Sequence, residues 1–135
     1  MAGGCEGLRL LLDTHTLVWW SERSPMLSAI AADTIADTAN AICISSVSAY
    51  EIALKHRLGK WPEVAAFSEA LPDYIDEQGF IVLPLTLDHA LRAGGLDVSH
   101  KDPWDRMLAA QALVEDLTIV SIDDRLDRFD VRRLW

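Results

Sequence analysis

The sequence has few basic residues, with 12 Lys and Arg against 21 Asp and Glu, which gives a formal net charge of −9 at pH 7. A broad nucleic-acid surface carries a basic patch, so this balance argues against one. Two arrangements would still be compatible with an acidic protein that binds nucleic acid. Acids gathered in a cleft can be neutralised by a divalent metal ion, and a basic partner protein can cover an acidic surface.

Cysteine is also scarce, since the chain has only two. Cys5 lies in a Gly-rich N-terminal stretch, and Cys43 lies in an apolar, strand-like run where we expect a small core residue. We therefore expect no disulfide framework. The scattered histidines and cysteines also lack the spacing of a zinc site. The fold must then be held by its apolar core, for which 50% hydrophobic residues are sufficient.

Long apolar runs are missing as well. No run approaches the ~18 residues of a membrane span. The run from Leu8 to Leu12 is stopped by Asp13 and lacks the basic start and cleavage site of a signal peptide. We therefore expect a cytoplasmic protein without a membrane contact. The sequence also has neither a Gly-rich phosphate loop nor a Gly-x-Ser-x-Gly nucleophile elbow.

Short apolar runs alternate with segments of helical periodicity. The pattern predicts strands at 8–12, 41–44, 80–83 and 118–122, and a last edge strand at 131–134. It predicts helices after Asp13 and over 28–38, from 45 to 58, 63–77, 86–93 and from 103 to about 115. Alternation of this kind favours an α/β fold, a three-layer α/β/α sandwich with a central parallel sheet of four to five strands. We expect residues 1–7 to be a flexible lead-in and residues 8–135 to be a single domain.

Four carboxylates are placed where such a sheet binds ligands, outside the carboxyl ends of its strands. Asp13 follows the first strand and Asp123 the fourth, Glu51 lies in the helix after the second, and Asp105 begins the helix before the fourth. Packed together, these acids would repel each other and raise each other's pKa values. A divalent ion resolves the conflict, and oxygen ligands favour Mg²⁺ or Mn²⁺. Such a site supports metal-assisted hydrolysis of a phosphodiester.

Each acid also has a simpler role open to it. Asp13 can cap the helix that follows, Glu51 can complete a Ser-x-x-Glu capping box, Asp105 can favour the helix dipole, and Asp123 can belong to a turn. Asp102, before a proline at the first helical position, is expected to be the N-cap and not a metal ligand. The hydroxyls expected to bind the carboxylates are those of Thr14, Thr16 and Ser121.

Four segments resemble the PIN-domain nucleases, specifically the VapC-type toxins of bacterial toxin–antitoxin pairs. They are Leu11-Leu12-Asp13-Thr14-His15, Ile44 to Ala53 with Glu51, His100 to Ala112 with Asp102-Pro103-Trp104-Asp105-Arg106, and Val120-Ser121-Ile122-Asp123. The third segment is similar to the His-x-Asp-Pro-Phe-Asp-Arg block of one subgroup. Trp104 replaces the usual phenylalanine, and Ser121 stands where the closing Thr-x-Asp has threonine.

This resemblance implies a metal-dependent endoribonuclease that leaves a 5′-phosphate and a 3′-hydroxyl. It implies Mg²⁺ or Mn²⁺ as cofactor, RNA as substrate, a homodimer and a cognate VapB-like antitoxin that inhibits the enzyme. On the same basis Asp13 and Asp105 contact the metal, and Glu51 and Asp123 complete the catalytic set. Two other interpretations compete with it: a catalytically inactive PIN-fold interaction module, and a receiver-like signalling domain with acids at its strand ends.

Aromatic and basic residues could add to such a site. Trp19 and Trp20 are adjacent and cannot face the same way on a helix. An exposed tryptophan could lie at a protein interface or stack on a base. The basic residues that could hold RNA phosphates, or simply form solvated helix faces, are Lys55, Arg57, Lys60, Arg106, Arg125 and Arg128. Arg106 could equally pair with Asp102, and His100 is expected to shape its loop.

Overall fold

The computed structural model describes residues 7–135, so the lead-in prediction for residues 1–6, and Cys5 within it, lies outside the described residues. The strands are β1 (Arg9–Leu12), β2 (Ala41–Ser45), β3 (Ile81–Leu83), β4 (Thr118–Val120) and β5 (Arg133–Leu134). All neighbouring pairs are parallel, and the strand order is β3-β2-β1-β4-β5. The predicted parallel α/β sheet is therefore confirmed, with five strands.

Within residues 7–135, six α-helices connect these strands. They are α1 (Thr14–Glu22), α2 (Ala29–Ala36), α3 (Ser46–Arg57), α4 (Ala65–Gln78), α5 (Leu87–Gly95) and α6 (Pro103–Glu115). Two short 3₁₀ segments cover Pro62–Val64 and Asp124–Phe129. The first forms the start of the predicted helix 63–77, whereas the second was not predicted, because it is too short to show helical periodicity. None of the helices within residues 7–135 is long and apolar enough to cross a membrane.

Strand β1 is the centre of the molecule. Its residues Leu10, Leu11 and Leu12 are all 0% exposed. Successive side chains of a strand point to opposite faces, so Leu10 and Leu12 join one apolar cluster and Leu11 joins another. The first cluster packs β1 and β2 against α1–α4, and the second packs the sheet against α6 and the 124–129 segment. The chain thus has the predicted three layers, with Cys43 buried in the second cluster as expected.

The last two strands of the chain, β4 and β5, are shorter than predicted. Strand β4 ends at Val120, although the apolar pattern continues to Ile122, which is exposed. The backbone N–H of Ser121 still donates to the carbonyl of Leu134, but the chain then turns away from the sheet. Strand β5 is also shorter than predicted, since only Arg133 and Leu134 pair with β4.

The strand order excludes the receiver-like interpretation. Receiver domains have the flavodoxin-like order 2-1-3-4-5, in which the first strand lies between the second and the third. Here β1 lies between β2 and β4, and β3 is an edge strand beyond β2.

Candidate active site

The site lies where the strand order reverses. From β1 the chain builds the sheet first toward β2 and β3, and later on the other side toward β4 and β5. Connections leave β1 and β4 in opposite directions, which opens a crevice at their carboxyl ends. Asp13 directly follows β1, its N–H donates to the carbonyl of Val120 on β4 (3.3 Å), and Asp123 lies just beyond that strand.

All four predicted acids line one cleft at this point. Its volume is about 430 Å³. Its walls are formed by Asp13, Thr14, His15, Trp19, Glu51, Lys55, Asp102, Trp104, Asp105, Leu108, Ile122, Asp123 and Arg125. The convergence that was predicted from strand ends and helix starts is therefore present in the fold. Three other cavities within residues 7–135 lack such a set of acids.

Asp13 has a structural partner as well as a place in the cleft. It is the N-cap of α1, and its Oδ1 accepts the backbone N–H of Thr16 (2.8 Å). Asp13 therefore caps helix α1, which is the simpler role that the sequence allowed. It also orients the carboxylate, because capping fixes the side chain at the end of β1 while the residue still lines the cleft.

Glu51 is held by long-range contacts inside the protein. It is 6% exposed, and its Oε1 accepts the hydroxyl of Thr14 (2.7 Å), which also lies 2.9 Å from the Ser48 hydroxyl. Its other oxygen pairs with Lys55. The capping-box interpretation is wrong, because Ser45 is the N-cap of α3 and accepts the N–H of Val47. Glu51 is therefore a buried carboxylate aimed at the cleft.

Asp105 is an acid whose pKa is raised by its surroundings. Burial raises the pKa of its carboxyl, and the charges of Asp102 and Asp123 raise it further, while a hydrogen bond from His100 opposes the shift. The Nε2 atom of His100 lies 2.8 Å from Oδ2 of Asp105. The His100 ring is itself buried and packs edge-on against Phe129. His100 thus fixes both the loop and the carboxylate.

Asp123 makes the interactions of the predicted turn aspartate. It caps the 3₁₀ segment through Arg125 N–H and accepts two further hydrogen bonds from the Arg125 guanidinium (2.9 and 2.8 Å). These bonds hold the pKa of its carboxyl below the usual range. The same carboxylate lines the cleft, so the turn role and a site role coincide.

Three of the expected supporting contacts are different in the structure. Only Thr14 places its hydroxyl on a carboxylate, since the Thr16 hydroxyl donates to the Val120 carbonyl and the Ser121 hydroxyl accepts the Asp123 N–H.

Arg106 neither pairs with Asp102 nor faces the cleft. Its guanidinium donates to backbone carbonyls of Ala93, Leu96, Val98 and His100. Asp102 is the N-cap of α6, as predicted, and accepts N–H groups of Trp104 and Asp105.

The donor chemistry of the cleft fits a hard divalent cation. All four acids offer oxygen ligands, and burial together with the negative charges of Asp102 and Asp123 raises the pKa of Asp105, which a bound cation would offset. Over residues 7–135, however, no group of three or more His, Cys, Asp or Glu side chains is arranged to hold a metal together. Mg²⁺ commonly binds through one or two carboxylates and keeps several waters, so two well-placed acids are enough.

Three charged partners of these acids were missed at the level of sequence, namely Lys55, His100 and Arg125. Lys55 lies four residues after Glu51, which is the favourable order for a helical ion pair, and that spacing could have identified it. The His100–Asp105 contact spans a loop and a helix start, for which sequence spacing carries no signal.

The sequence matches the PIN domain family over residues 10–132. A stretch of 72 residues is 38% identical to Ribonuclease VapC16 of Mycobacterium tuberculosis, and this match spans 50% of the chain and 50% of that protein. The fold is similar to VapBC2 of Rickettsia felis, solved with a promoter DNA fragment (TM-score 0.70, 17% identity, 95% of this chain and 99% of that chain). It is also similar to FitAcB of Neisseria gonorrhoeae (TM-score 0.64, 22% identity, 93% of this chain and 96% of that chain). The chain belongs to the PIN domain family.

Proposed function

We propose that this protein is a metal-dependent endoribonuclease and the toxin of a toxin–antitoxin pair that acts in the cytoplasm. The observation that carries the proposal is the meeting of Asp13, Glu51, Asp105 and Asp123 in one cleft of a PIN fold. The partial match to a protein named as a ribonuclease supports the activity. The similar folds in VapBC2 and FitAcB support the toxin assignment.

In this proposal Asp13 and Asp105 hold Mg²⁺ or Mn²⁺, and Glu51 and Asp123 complete the catalytic set. A bound divalent ion supplies Lewis-acid chemistry, which activates water and stabilises phosphoryl charge. The chain supplies the positioning: the N–H of Thr16 orients Asp13, and His100 orients Asp105. The hydroxyl of Thr14 holds Glu51 in its buried position.

The cations of the cleft have a second role in this mechanism. Lys55 and Arg125 line the same walls as the acids and are only partly buried or exposed. They bring positive charge to a cleft that would otherwise repel RNA phosphates. Because charged contacts to phosphate position a strand without reading its sequence, these two residues would seat the backbone.

We also propose a cognate VapB-like antitoxin and a homodimer as the assembly. The net charge of −9 is complementary to a basic antitoxin segment. The edge strand β3 and helix α5 carry exposed apolar side chains, which support a contact between protein chains. These side chains are Ile81, Val82, Leu87 and Leu91. Sedimentation of the purified chain at several concentrations tests the dimer, and a monomer at all of them contradicts it.

The experiment for the activity is cleavage of a mixed-sequence RNA with Mg²⁺, with Mn²⁺ and with a chelator. We expect cleavage with either metal and none with the chelator, and RNA ends that carry 5′-phosphates. Asp13→Asn and Asp105→Asn should each lower the rate at least about 100-fold, the usual loss for a group that stabilises charge at the reacting centre. Asp33→Asn, an exposed acid on α2, is the matched control and should cleave like the parent.

The opposite results have a clear meaning. If Asp13→Asn and Asp105→Asn both cleave like the parent, the site assignment is wrong. If the parent neither cuts RNA nor arrests growth on expression, the inactive PIN-fold interaction module is the better account.

A further inference from the structure

Aromatic rings are concentrated around the acidic cleft. Tyr50 directly precedes Glu51 on α3, and Trp104 directly precedes Asp105 on α6. The two rings are in contact, with centroids 5.4 Å apart and planes inclined by 43°. Trp104 lines the cleft, and Tyr50 contacts Trp104 from the neighbouring helix.

The two rings are exposed to different degrees. Tyr50 is 60% exposed, so its burial adds little to folding. Trp104 is half-buried, since it packs against the second apolar cluster and also lines the cleft. Trp104 thus anchors the pair to the core and to the cleft wall, and Tyr50 extends it outward into solvent.

A second aromatic group borders the same cleft. His15 stacks on Trp61, with centroids 4.9 Å apart and planes inclined by 26°, and Trp19 lies 5.8 Å from His15. His15 and Trp19 line the cleft together with the cations Lys55 and Arg125. Aromatic faces next to cations are the composition of surfaces that bind single-stranded nucleic acid, where bases stack on rings and phosphates meet positive charge.

We propose that Tyr50 and Trp104 form a stacking platform for an unpaired base of the RNA next to the cleaved bond. This inference rests on the proposed function. The His15–Trp61 rings already stack on each other, whereas the tilted Tyr50–Trp104 pair leaves ring surface open at Tyr50. A base inside a duplex has both faces covered by its neighbours, so only a base that has left the stack can use the platform.

The test is a comparison of two RNAs of equal charge, a ten-uridine strand and a ten-unit strand without bases. Binding is measured by fluorescence anisotropy with a chelator present, so that the RNA stays intact. Stacking on an aromatic side chain changes affinity by about 5-fold to 150-fold per base. We expect the parent to prefer the uridine strand by a factor in this range. Annealing it to its complement should abolish the preference.

The variants separate stacking from folding. Tyr50→Leu and Trp104→Leu keep apolar bulk but remove the ring, so both should lose the preference. Tyr50→Phe and Trp104→Phe keep a ring and should retain it. Ile30→Ala, at a site 60% exposed on α2 and outside the cleft, is the control and should bind like the parent. Because Tyr50 is exposed, Tyr50→Leu tests the platform even if Trp104→Leu does not fold.

The outcomes distinguish this inference from the activity itself. RNA cleavage with metal but equal binding of the two strands overturns the platform and leaves the nuclease standing. Base-dependent binding without any cleavage supports the platform and overturns the nuclease. A Tyr50→Leu variant that keeps the full preference overturns the platform, and so does a parent that binds neither strand.

Discussion

At the scale of single residues, each acid of the cleft is fixed by a different partner. The clearest case is Glu51, whose buried carboxylate accepts the Thr14 hydroxyl and pairs with Lys55. A buried carboxylate that loses a hydrogen bond keeps its desolvation cost without the compensation. The position of Glu51 therefore depends on a residue from α1 as much as on its own helix.

Thr14→Val tests this dependence, because valine has the shape of threonine without the hydroxyl. We expect a loss of about 1.5–3 kcal/mol in the free energy of unfolding, as for a hydrogen bond to a charged group. RNA cleavage should fall through kcat, since Glu51 is no longer held. Thr14→Ser keeps the hydroxyl and should preserve both properties. Urea unfolding and steady-state cleavage provide the two measurements.

The matched control is Thr16→Val, two residues further along α1. Thr16 is equally buried, but its hydroxyl donates to the Val120 carbonyl, which also accepts the Asp13 N–H. This substitution should cost stability and leave kcat close to that of the parent. If the two valine variants lose kcat to the same extent, the Thr14 effect is general destabilisation and not the placement of Glu51.

The types and order of the site residues could be predicted, but most of their partners could not. The positions of Asp13 and Glu51 follow from local patterns of strand end and helix start. The bond from Thr14 to Glu51 joins residues 37 apart, and that from Ser45 to Gln111 joins residues 66 apart. Such contacts depend on how the layers pack, which no short stretch of sequence encodes.

At the scale of elements, the loop before α6 is organised by Arg106. Its guanidinium donates to the carbonyls of Leu96, Val98 and His100 in the loop, and to Ala93 on α5. A planar fork of five N–H donors suits this arrangement, whereas an ammonium group cannot reproduce it. Arg106 thus positions the backbone that carries His100, and through His100 it positions Asp105.

Arg106→Lys keeps the charge and removes the fork. We expect faster amide hydrogen exchange over residues 96–101, and a loss of at least about 1.5 kcal/mol in unfolding free energy, the lower value for a single hydrogen bond to a charged group. The neighbouring face of α5 provides a control in Arg92→Lys, which changes an exposed arginine and should leave the exchange unchanged. Unaltered protection of the loop in Arg106→Lys would show that packing alone holds it.

Local chemistry sets the first residue of some helices, and packing against other elements sets the first residue of others. Asp102 and Pro103 start α6 as their propensities predict, because the cap and the fixed proline φ act within one turn. Ser45 and Ser48 are both plausible caps for α3, yet Ser45 caps it and Ser48 turns to Thr14. The choice depends on the partner that α1 supplies, so the sequence of α3 alone could not reveal it.

At the scale of the whole molecule, β1 joins two apolar clusters that lie on opposite faces of one sheet. The parallel α/β class could be read from the alternation of strands and helices. The placement of β1 between β2 and β4 could not, because strand order is set by which faces the crossover helices cover. That order also creates the crevice in which the acids meet.

Leu10→Ala and Leu11→Ala test whether the two clusters unfold as one unit. Both leucines are 0% exposed on β1, but Leu10 belongs to the first cluster and Leu11 to the second. Each substitution should lower the free energy of unfolding by about 2–5 kcal/mol. Leu8→Ala, at a site 50% exposed just before the strand, should change it by less than about 0.5 kcal/mol.

Both variants should unfold in a single transition when followed by far-ultraviolet circular dichroism and by tryptophan fluorescence. Trp20 packs against the first cluster and Trp104 against the second, so the fluorescence signal samples both. Coincident curves mean that β1 couples the two layers, since weakening either side lowers the stability of both. A biphasic curve for Leu11→Ala would mean that the layer containing α6 and Asp105 opens by itself, and the acidic cleft would then come apart before the sheet does.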